Sequence, residues 1–534
     1  MKKKLLAIFL AASMVFSVTG CGDSKGQEEE GNTAGEESTG TEREQENDGE
    51  IYNIIMQVPI FGTEMPALQE VEDAINAVTI PEIGASVTLM TTFAPSMATE
   101  SSLMISSGEK LDIISILPYG AGLDSIDNYV SKNMLRPLDD LYEEYGKDIA
   151  SCVGDLIKVG YSGDTLYAVP PNYVIGGARA FGARKDMLDE LGIIVEEEKI
   201  YTIEELEAMF DQFKEYYGNG YYAVASFGSG QSGMFPNLHT IDTLGTDSTD
   251  GVLMEVSADA ELKVENLFAT AEYKEFANRM YEWNKKGYFN PDVATITDDI
   301  TSLMASGIYF GSFGTVAAVD NGAMASRVGV ELVSILVEEP YSTSAGATCG
   351  LWAIPNTCEN PEKVMQFLNM MYQERALGED IDTLLSYGVE GSCYTVLEEI
   401  DNSKAIISYP EGMSAADVPW MAAGPIYGNQ LTIPVMTPQT AEAYEIYENF
   451  NQRIIDSGRM SNAFGYVFNP EDVSSQKAAI QAVVSEYVST VEFGLTDPAN
   501  SLPEFIKALE DAGINDVIAE NQRQLDEWAR VNNK

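Results

Sequence analysis

The sequence predicts an α/β protein built as two lobes, with mostly parallel sheets flanked by helices. Three observations carry that reading. Apolar runs of strand length alternate with amphipathic helical runs from Ile51 to Leu117, the pattern of a parallel sheet with crossover connections. The chain has 534 residues, whereas a single core stops growing near roughly 250–300 residues. Pro170-Pro171-Asn172 then breaks the pattern and reads as a crossing between lobes.

The elements follow in order. Tyr52 to Val58 reads as a buried strand ended by Pro59. Glu64 to Val78 places Leu68, Val71, Ile75 and Val78 at helical spacing. Val87-Thr88-Leu89-Met90 is a second strand, Met97 to Ser107 a helix, and Asp112 to Leu117 a third strand ending at Pro118-Tyr119-Gly120. Gly163-Asp164 is a hairpin turn between Val159-Gly160-Tyr161 and Leu166 to Val169. Beyond the crossing, Ala178-Arg179-Ala180-Phe181 opens the second lobe as a strand. Thr202-Ile203-Glu204-Glu205 is a capping box, and its helix puts Leu206, Met209, Phe210, Phe213 and Tyr217 on one face. Tyr221 to Phe227 is a strand, and a helix from Tyr273 to Lys286 carries Phe276, Met280 and Trp283 on one stripe. Further helices run over 361–374, 438–457 and 475–491, and beyond them Pro503 marks the start of another helix and Gly513 its end.

Composition narrows the function. The formal net charge is −53, which argues against nucleic acid or anionic lipid as partners, since both need clustered Lys and Arg. His239 is the one histidine, so a multi-histidine metal site is impossible. His239 follows Phe235-Pro236-Asn237-Leu238 in a Pro-broken polar stretch and reads as structural or solvated. No CxxC pair occurs among Cys21, Cys152, Cys349, Cys358 and Cys393. Cys349 with Cys358 would close a short disulfide loop, and free buried thiols are the equal alternative.

The N-terminus reads as an export signal. Lys2-Lys3-Lys4 precede an uncharged apolar run from Leu5 to Val18, shorter than the roughly 20 residues a membrane span needs. The run closes on Val18-Thr19-Gly20-Cys21, which resembles a bacterial lipobox. The resemblance implies removal of residues 1–20 and a lipid on Cys21. Residues 22–50 hold eleven acids and two bases with almost nothing apolar, so they cannot bury enough surface to fold and form an acidic tether.

Motifs for catalysis are weak. Gly228 to Gly233 spells GxGxxG after a strand, but Met234-Phe235-Pro236-Asn237 replaces the helix a dinucleotide site needs, so a glycine-rich turn is expected. Asp247 to Gly251 lacks the ligand positions of a calcium loop and reads as a polar turn. The 84 acidic residues make carboxylate pairs uninformative for glycoside hydrolysis. The informative set is aromatic and amide residues after apolar strands: Phe61, Tyr119, Asn172, Tyr173, Phe313, Trp352, Tyr394, Trp420 and Asn429. Flat aromatic faces suit the apolar face of a sugar, while amides bond its hydroxyls.

Short motifs in one order over most of the folded chain strengthen this. Leu166-Tyr167-Ala168-Val169-Pro170, Arg184 to Gly192 with the Thr202 box, Met304-Ala305-Ser306-Gly307, Ile354-Pro355-Asn356-Thr357 to Phe367, Tyr387-Gly388-Val389-Glu390-Gly391, and Pro503 to Trp528 together resemble the family 1 extracellular solute-binding lipoproteins of ABC importers. The resemblance is to their long Firmicutes-type sugar-binding form with an uncharacterised C-terminal region. It departs at Cys393, where that form often has a polar residue. It implies a type II, periplasmic-binding-protein-like fold of two lobes that close on a ligand, here a carbohydrate, and dock on membrane permease subunits. It implies a monomer without cofactor, metal or catalytic residues, held at the outer face of the membrane through the lipid alone. The division expected is 1–20 signal, 21–50 tether, 51–169 with about 297–345 as the first lobe, and 170–296 with about 346–534 as the second. Phe61, Tyr119, Tyr173, Trp352 and Trp420 are the stacking candidates, with Asn172, Glu390 and Asn429 for hydroxyls. The same fold holding a peptide or other polar nutrient, an exported glycan hydrolase, and a surface sensor are the alternatives.

Overall fold

The computed structural model describes residues 51–534 apart from 61–64, 118–124, 197–198, 227–232, 297, 317–327, 347, 415–416, 421–425 and 533. Phe61, Tyr119, Cys21 and the tether lie outside the described residues.

The chain opens with β1 (Tyr52–Ile60), α1 (Leu68–Ile83), β2 (Ala85–Phe93) and α2 (Met97–Ser107). Next come β3 (Ile114–Ile116), α3 (Ile126–Ser131), α4 (Asp139–Tyr145) and α5 (Lys147–Val153). A 3-10 stretch, Gly154–Gly160, leads into the hairpin β4 (Tyr161–Ser162) and β5 (Thr165–Leu166), then β6 (Ala168–Val169). After Pro170-Pro171 the chain runs into β7 (Ala178–Arg184), α6 (Lys185–Leu191), α7 (Ile203–Tyr217), β8 (Tyr222–Val224) and α8 (Met234–Leu238). Then follow α9 (Ala271–Lys285), α10 (Ile300–Ala305), β9 (Tyr309–Val316) and β10 (Leu332–Leu336). The chain returns through β11 (Leu351–Ala353), α11 (Pro361–Met370), α12 (Ile381–Tyr387) and the small sheet of β12 (Thr395–Asp401), β13 (Lys404–Ser408) and β14 (Val435–Met436). It ends with α13 (Glu442–Ser457), α14 (Ser474–Glu492), α15 (Pro498–Asp511) and α16 (Ile514–Val531).

In the first lobe β1 pairs parallel with β2, from Tyr52 opposite Ala85 to Ile60 opposite Phe93. A parallel bridge from Met56 to Ile113 carries the sheet to β3, and β11 lies antiparallel between β3 and β6. The strand order is therefore β2-β1-β3-β11-β6. Pro59 stays inside β1 rather than ending it. Amides of odd-numbered β1 residues point away from β2, as Ile55 N–H to Asp112 (2.8 Å) and Gln57 N–H to Ile113 O (2.9 Å) show, so Pro59 forgoes only a donor on that side. In the second lobe the order is β10-β7-β9-β8, with β7 antiparallel to both neighbours and β8 parallel to β9.

Strand pairing reverses the expected division of the later segments. β9 and β10 flank β7 and stay in the second lobe, whereas β11 and α11 complete the first. The reason is physical: β7 needs a ladder on each edge, and Val364, Phe367 and Leu368 of α11 fill the core that Ile54, Val71 and Ile75 begin. The three C-terminal helices belong to the second lobe, where Ile480, Val484, Val488 and Val491 of α14 join Phe276, Met280 and Trp283 of α9. Each fully buried side chain of this size contributes about 1.5–3 kcal/mol, so α14 is a fixed part of that core. α13 spans the lobes. Its Tyr444 hydroxyl meets Ala405 N–H (3.0 Å) and Ile433 O (3.0 Å), and its Ile454 packs with Ile175 and Ala180.

Local signals act as written in the sequence. Thr202 Oγ1 accepts Glu205 N–H (3.2 Å) while the Glu205 carboxylate accepts Thr202 N–H (2.9 Å). Pro503 sits inside α15 rather than at its start, because Asp497 caps one turn earlier with Pro498 in first place.

Candidate ligand site between the lobes

Topology turns the carboxyl ends of the strands toward one another. β6 leaves the first lobe at Val169 and β7 enters the second at Ala178, so the carboxyl ends of β1, β2 and β3, parallel to β6, face the second lobe. β9 and β10 run antiparallel to β7, so their carboxyl ends, and that of β8, face the first lobe. Ligands bind in α/β proteins where such ends meet. Residues 61–64, 118–124, 227–232 and 317–327, which follow β1, β3, β8 and β9, lie outside the described residues.

Three crossings hold the lobes. Asn172 N–H donates to Gly428 O (2.8 Å), Gln430 N–H to Asn172 O (2.9 Å), and Asn172 Nδ2 to Asn429 Oδ1 (2.8 Å). Tyr173 hydroxyl donates to Gly346 O (3.0 Å), tying the first crossing to the second. Asn451 of α13 accepts Ile175 N–H (3.1 Å) and donates to Tyr173 O (2.8 Å). The Asp242 carboxylate fixes the second crossing through Ser344 N–H and Oγ, both at 2.7 Å. Beneath the third, the Asp382 carboxylate accepts from Ser386 Oγ (3.1 Å) and from Gln430 Nε2. Burial pushes the Asp382 carboxyl well above the ordinary aspartate range, with Asp380 adding repulsion. A hollow of about 270 Å³ beside the second crossing is lined by Arg179, Pro236, Tyr341 and Gly346, with the Arg179 guanidinium 4.9 Å above the Tyr341 ring. A larger groove, about 1360 Å³, opens at the β6 edge, away from β1 and β2, between Lys158, Asn172, Asn429, Tyr444 and Trp528.

The candidate residues fall into three groups. Asn172, Tyr173 and Asn429 meet at the crossings. Glu390 is exposed in the turn after α12, where Gly391 N–H bonds Tyr394 O (2.7 Å). Trp352, Trp420, Tyr394 and Phe313 are enclosed by protein, which corrects the expectation that their faces are open. Trp352 donates its indole N–H to Ile426 O (2.6 Å) and stacks on Tyr427. Trp420 donates to Leu385 O (2.9 Å), Tyr394 packs in the same core, and Phe313 stacks on Trp283 at 5.8 Å. In each case an interior partner satisfies the ring better than water does.

The remaining motifs find structural partners. A short helix, α8, does open after the glycine-rich stretch, but Gly233 and Met234 N–H are bound to the Glu492 carboxylate at 3.1 and 2.8 Å, leaving that helix start no room for a phosphate. Asp247 caps a 3-10 turn whose Asp250 pairs with Lys477. His239 lies against Phe235 at 4.7 Å, and burial lowers its pKa. Cys152, Cys349, Cys358 and Cys393 are unpaired thiols. Sequence reasoning missed Asn451 and Asp382. The available signal was a polar residue inside an apolar helical stripe, Phe450-Asn451-Ile454 in α13 and Ile381-Asp382-Leu385 in α12, which marks a buried hydrogen bond.

Among the described residues no helix is long and apolar enough to cross a membrane. The chain is similar to known proteins along most of its length. A carbohydrate ABC transporter substrate-binding protein of Streptococcus pneumoniae is 23% identical over 435 residues, 79% of this chain and 82% of that protein. In structure it is similar to the N-glycan transport solute binding protein of Streptococcus pneumoniae, with a TM-score of 0.69 at 21% identity, covering 90% of this chain and 99% of that one. The same protein in complex with Man5GlcNAc gives a TM-score of 0.55 at 20% identity and the same coverage. These likenesses establish the type II, two-lobed fold. The model of a domain of unknown function matches residues 462–530, and that of the bacterial extracellular solute-binding proteins matches residues 84–387. The second match spans more than half of the chain, which therefore belongs to the family of bacterial extracellular solute-binding proteins.

Proposed function

We propose that this protein captures a sugar or oligosaccharide between its lobes outside the cytoplasm and delivers it to the permease of an ABC importer, without making or breaking a bond. The observation that carries the reading is the facing set of strand ends, β1 to β3 against β8 to β10, joined by crossings that a rotation can flex. The carbohydrate assignment draws support from the relatives, a carbohydrate transporter component and an N-glycan binder. Phe61, Tyr119 and Tyr173 are the proposed stacking residues, and Asn172, Asn429 and Glu390 the proposed hydroxyl partners. Trp352 and Trp420 support the first-lobe wall from within. Cys21 is the proposed lipid attachment that keeps the protein at the membrane face; a single acyl chain binds a bilayer only marginally, so stable anchoring takes more than one.

A thermal-shift panel of mono- and oligosaccharides, with short peptides as controls, tests the reading. Specific binding to the folded state raises the melting temperature by mass action. A rise with one glycan class, and no new product by chromatography, is expected. A rise with peptides alone contradicts the carbohydrate assignment, and consumption of a glycan contradicts the transport reading.

A further inference from the structure

Glu492 is the last residue of α14 and only 2% exposed. A carboxylate there opposes the helix dipole, whose C-terminal end is negative, and a buried charge is costly unless hydrogen bonds meet it. Donors from two other elements meet it here. Met234 N–H lies at 2.8 Å, Gly233 N–H at 3.1 Å and the Tyr273 hydroxyl at 3.1 Å. Gly233 and Met234 form the start of α8, where the chain returns from the end of β8 that faces the first lobe. Tyr273 lies in the first turn of α9.

The residues after Glu492 are wedged in the same place. Asn284 Nδ2 donates to Phe493 O (2.9 Å). Gly494 has φ +60°, and a Cβ there would lie 2.1 Å from Met280 O, so only glycine fits. The end of α14 is thus held by α9 on one side and holds α8 on the other. Pro236 of α8 in turn lines the hollow beside the second crossing, with Arg179 and Tyr341.

We propose that Glu492 is a positioning residue for ligand capture. It fixes the start of α8, and through it the part of the second lobe that faces the first. This gives the C-terminal region, matched as a domain of unknown function, a role in setting the ligand-facing wall. The proposal rests on the interlobe capture reading above.

The test compares Glu492→Gln with Lys477→Met in the full chain. Gln keeps the size of Glu and one acceptor oxygen, but the charge-assisted bonds that one carboxylate oxygen takes from Gly233 and Met234 N–H become neutral ones, roughly half as strong. Lys477 ties the other end of α14 to Asp250, and fifteen helical residues at 1.5 Å each put it about 22 Å from Glu492. Both variants are expected to lower the melting temperature. Amide exchange at Gly233 and Met234 without ligand is expected to quicken about tenfold in Glu492→Gln and not in Lys477→Met. The Kd for Man5GlcNAc by titration calorimetry is expected to rise about five- to tenfold in Glu492→Gln and to stay within about twofold in Lys477→Met. Unchanged amides in Glu492→Gln, a wild-type Kd in that variant, or equal weakening in both variants would overturn the proposal alone. A wild-type chain that binds neither Man5GlcNAc nor any glycan of the thermal-shift panel would contradict the interlobe capture reading and remove the basis of the proposal with it.

Discussion

Asn172 donates its side-chain amide to Asn429 at 2.8 Å, joining two crossings that stand 257 positions apart in the chain. The backbones of the same two segments exchange hydrogen bonds around this pair, through Gly428 O and Gln430 N–H. The amide pair is therefore a pin across the axis about which the lobes would turn. Asn429→Ala is expected to cost about 1–3 kcal/mol, because it leaves the half-buried Asn172 amide without its partner. A urea denaturation series measures this. A midpoint within error of wild type would show that the pin contributes nothing.

Gly428 is needed for close approach rather than for an unusual backbone angle. A Cβ there would lie 1.7 Å from Met371 O and 3.0 Å from Asp382 Oδ2. The first obstacle is backbone at the end of α11, which cannot rotate aside. Gly428→Ala is expected to destabilise by about 3 kcal/mol or more, the range of forced overpacking and backbone strain. Thermal melting would read this as a large drop, and a loss of under about 1 kcal/mol would contradict the packing described.

Asp382 supplies a pH signature. Burial, then repulsion from Asp380, raises its carboxyl pKa well above the ordinary 3.8. The folded state then holds a proton that the unfolded state has released, so the contribution of this group to stability falls as pH rises from about 4 toward the folded pKa. Asp382→Asn removes that titration and keeps an oxygen for Gln430 and Ser386. The variant is expected to be more stable than wild type at about pH 7, by on the order of 1 kcal/mol, with the gain vanishing near about pH 4. Urea midpoints across that range check the slope. A variant that is less stable at every pH would show that the ionised carboxylate is favourable in place.

The sequence carried the local rules faithfully and the long-range ones poorly. α2 has the bounds its apolar spacing predicts, and Thr202 with Glu205 caps α7 as written, because both depend on residues within one or two turns. The surroundings of Trp352 and Trp420 are illegible in the sequence for the opposite reason. An aromatic residue at the edge of an apolar stretch looks alike whether it faces a cleft or the core. What decides is a carbonyl 74 residues away at Ile426 in one case and 35 away at Leu385 in the other. The return of the chain to the first lobe was equally hidden. Ser342 to Gly350 is a run of small residues that marks a loop without saying which lobe it enters, and the ladders of β11 with β3 and β6 reveal the return.

The central claim is that a glycan is held between the lobes and draws them together. Small-angle X-ray scattering of the protein with and without the glycan found by thermal shift tests this most directly. The account predicts a smaller radius of gyration that saturates with glycan concentration, because contacts made only in the closed state shift the population toward it. Saturable binding with an unchanged radius of gyration would contradict closure around the ligand and place the glycan on one lobe alone.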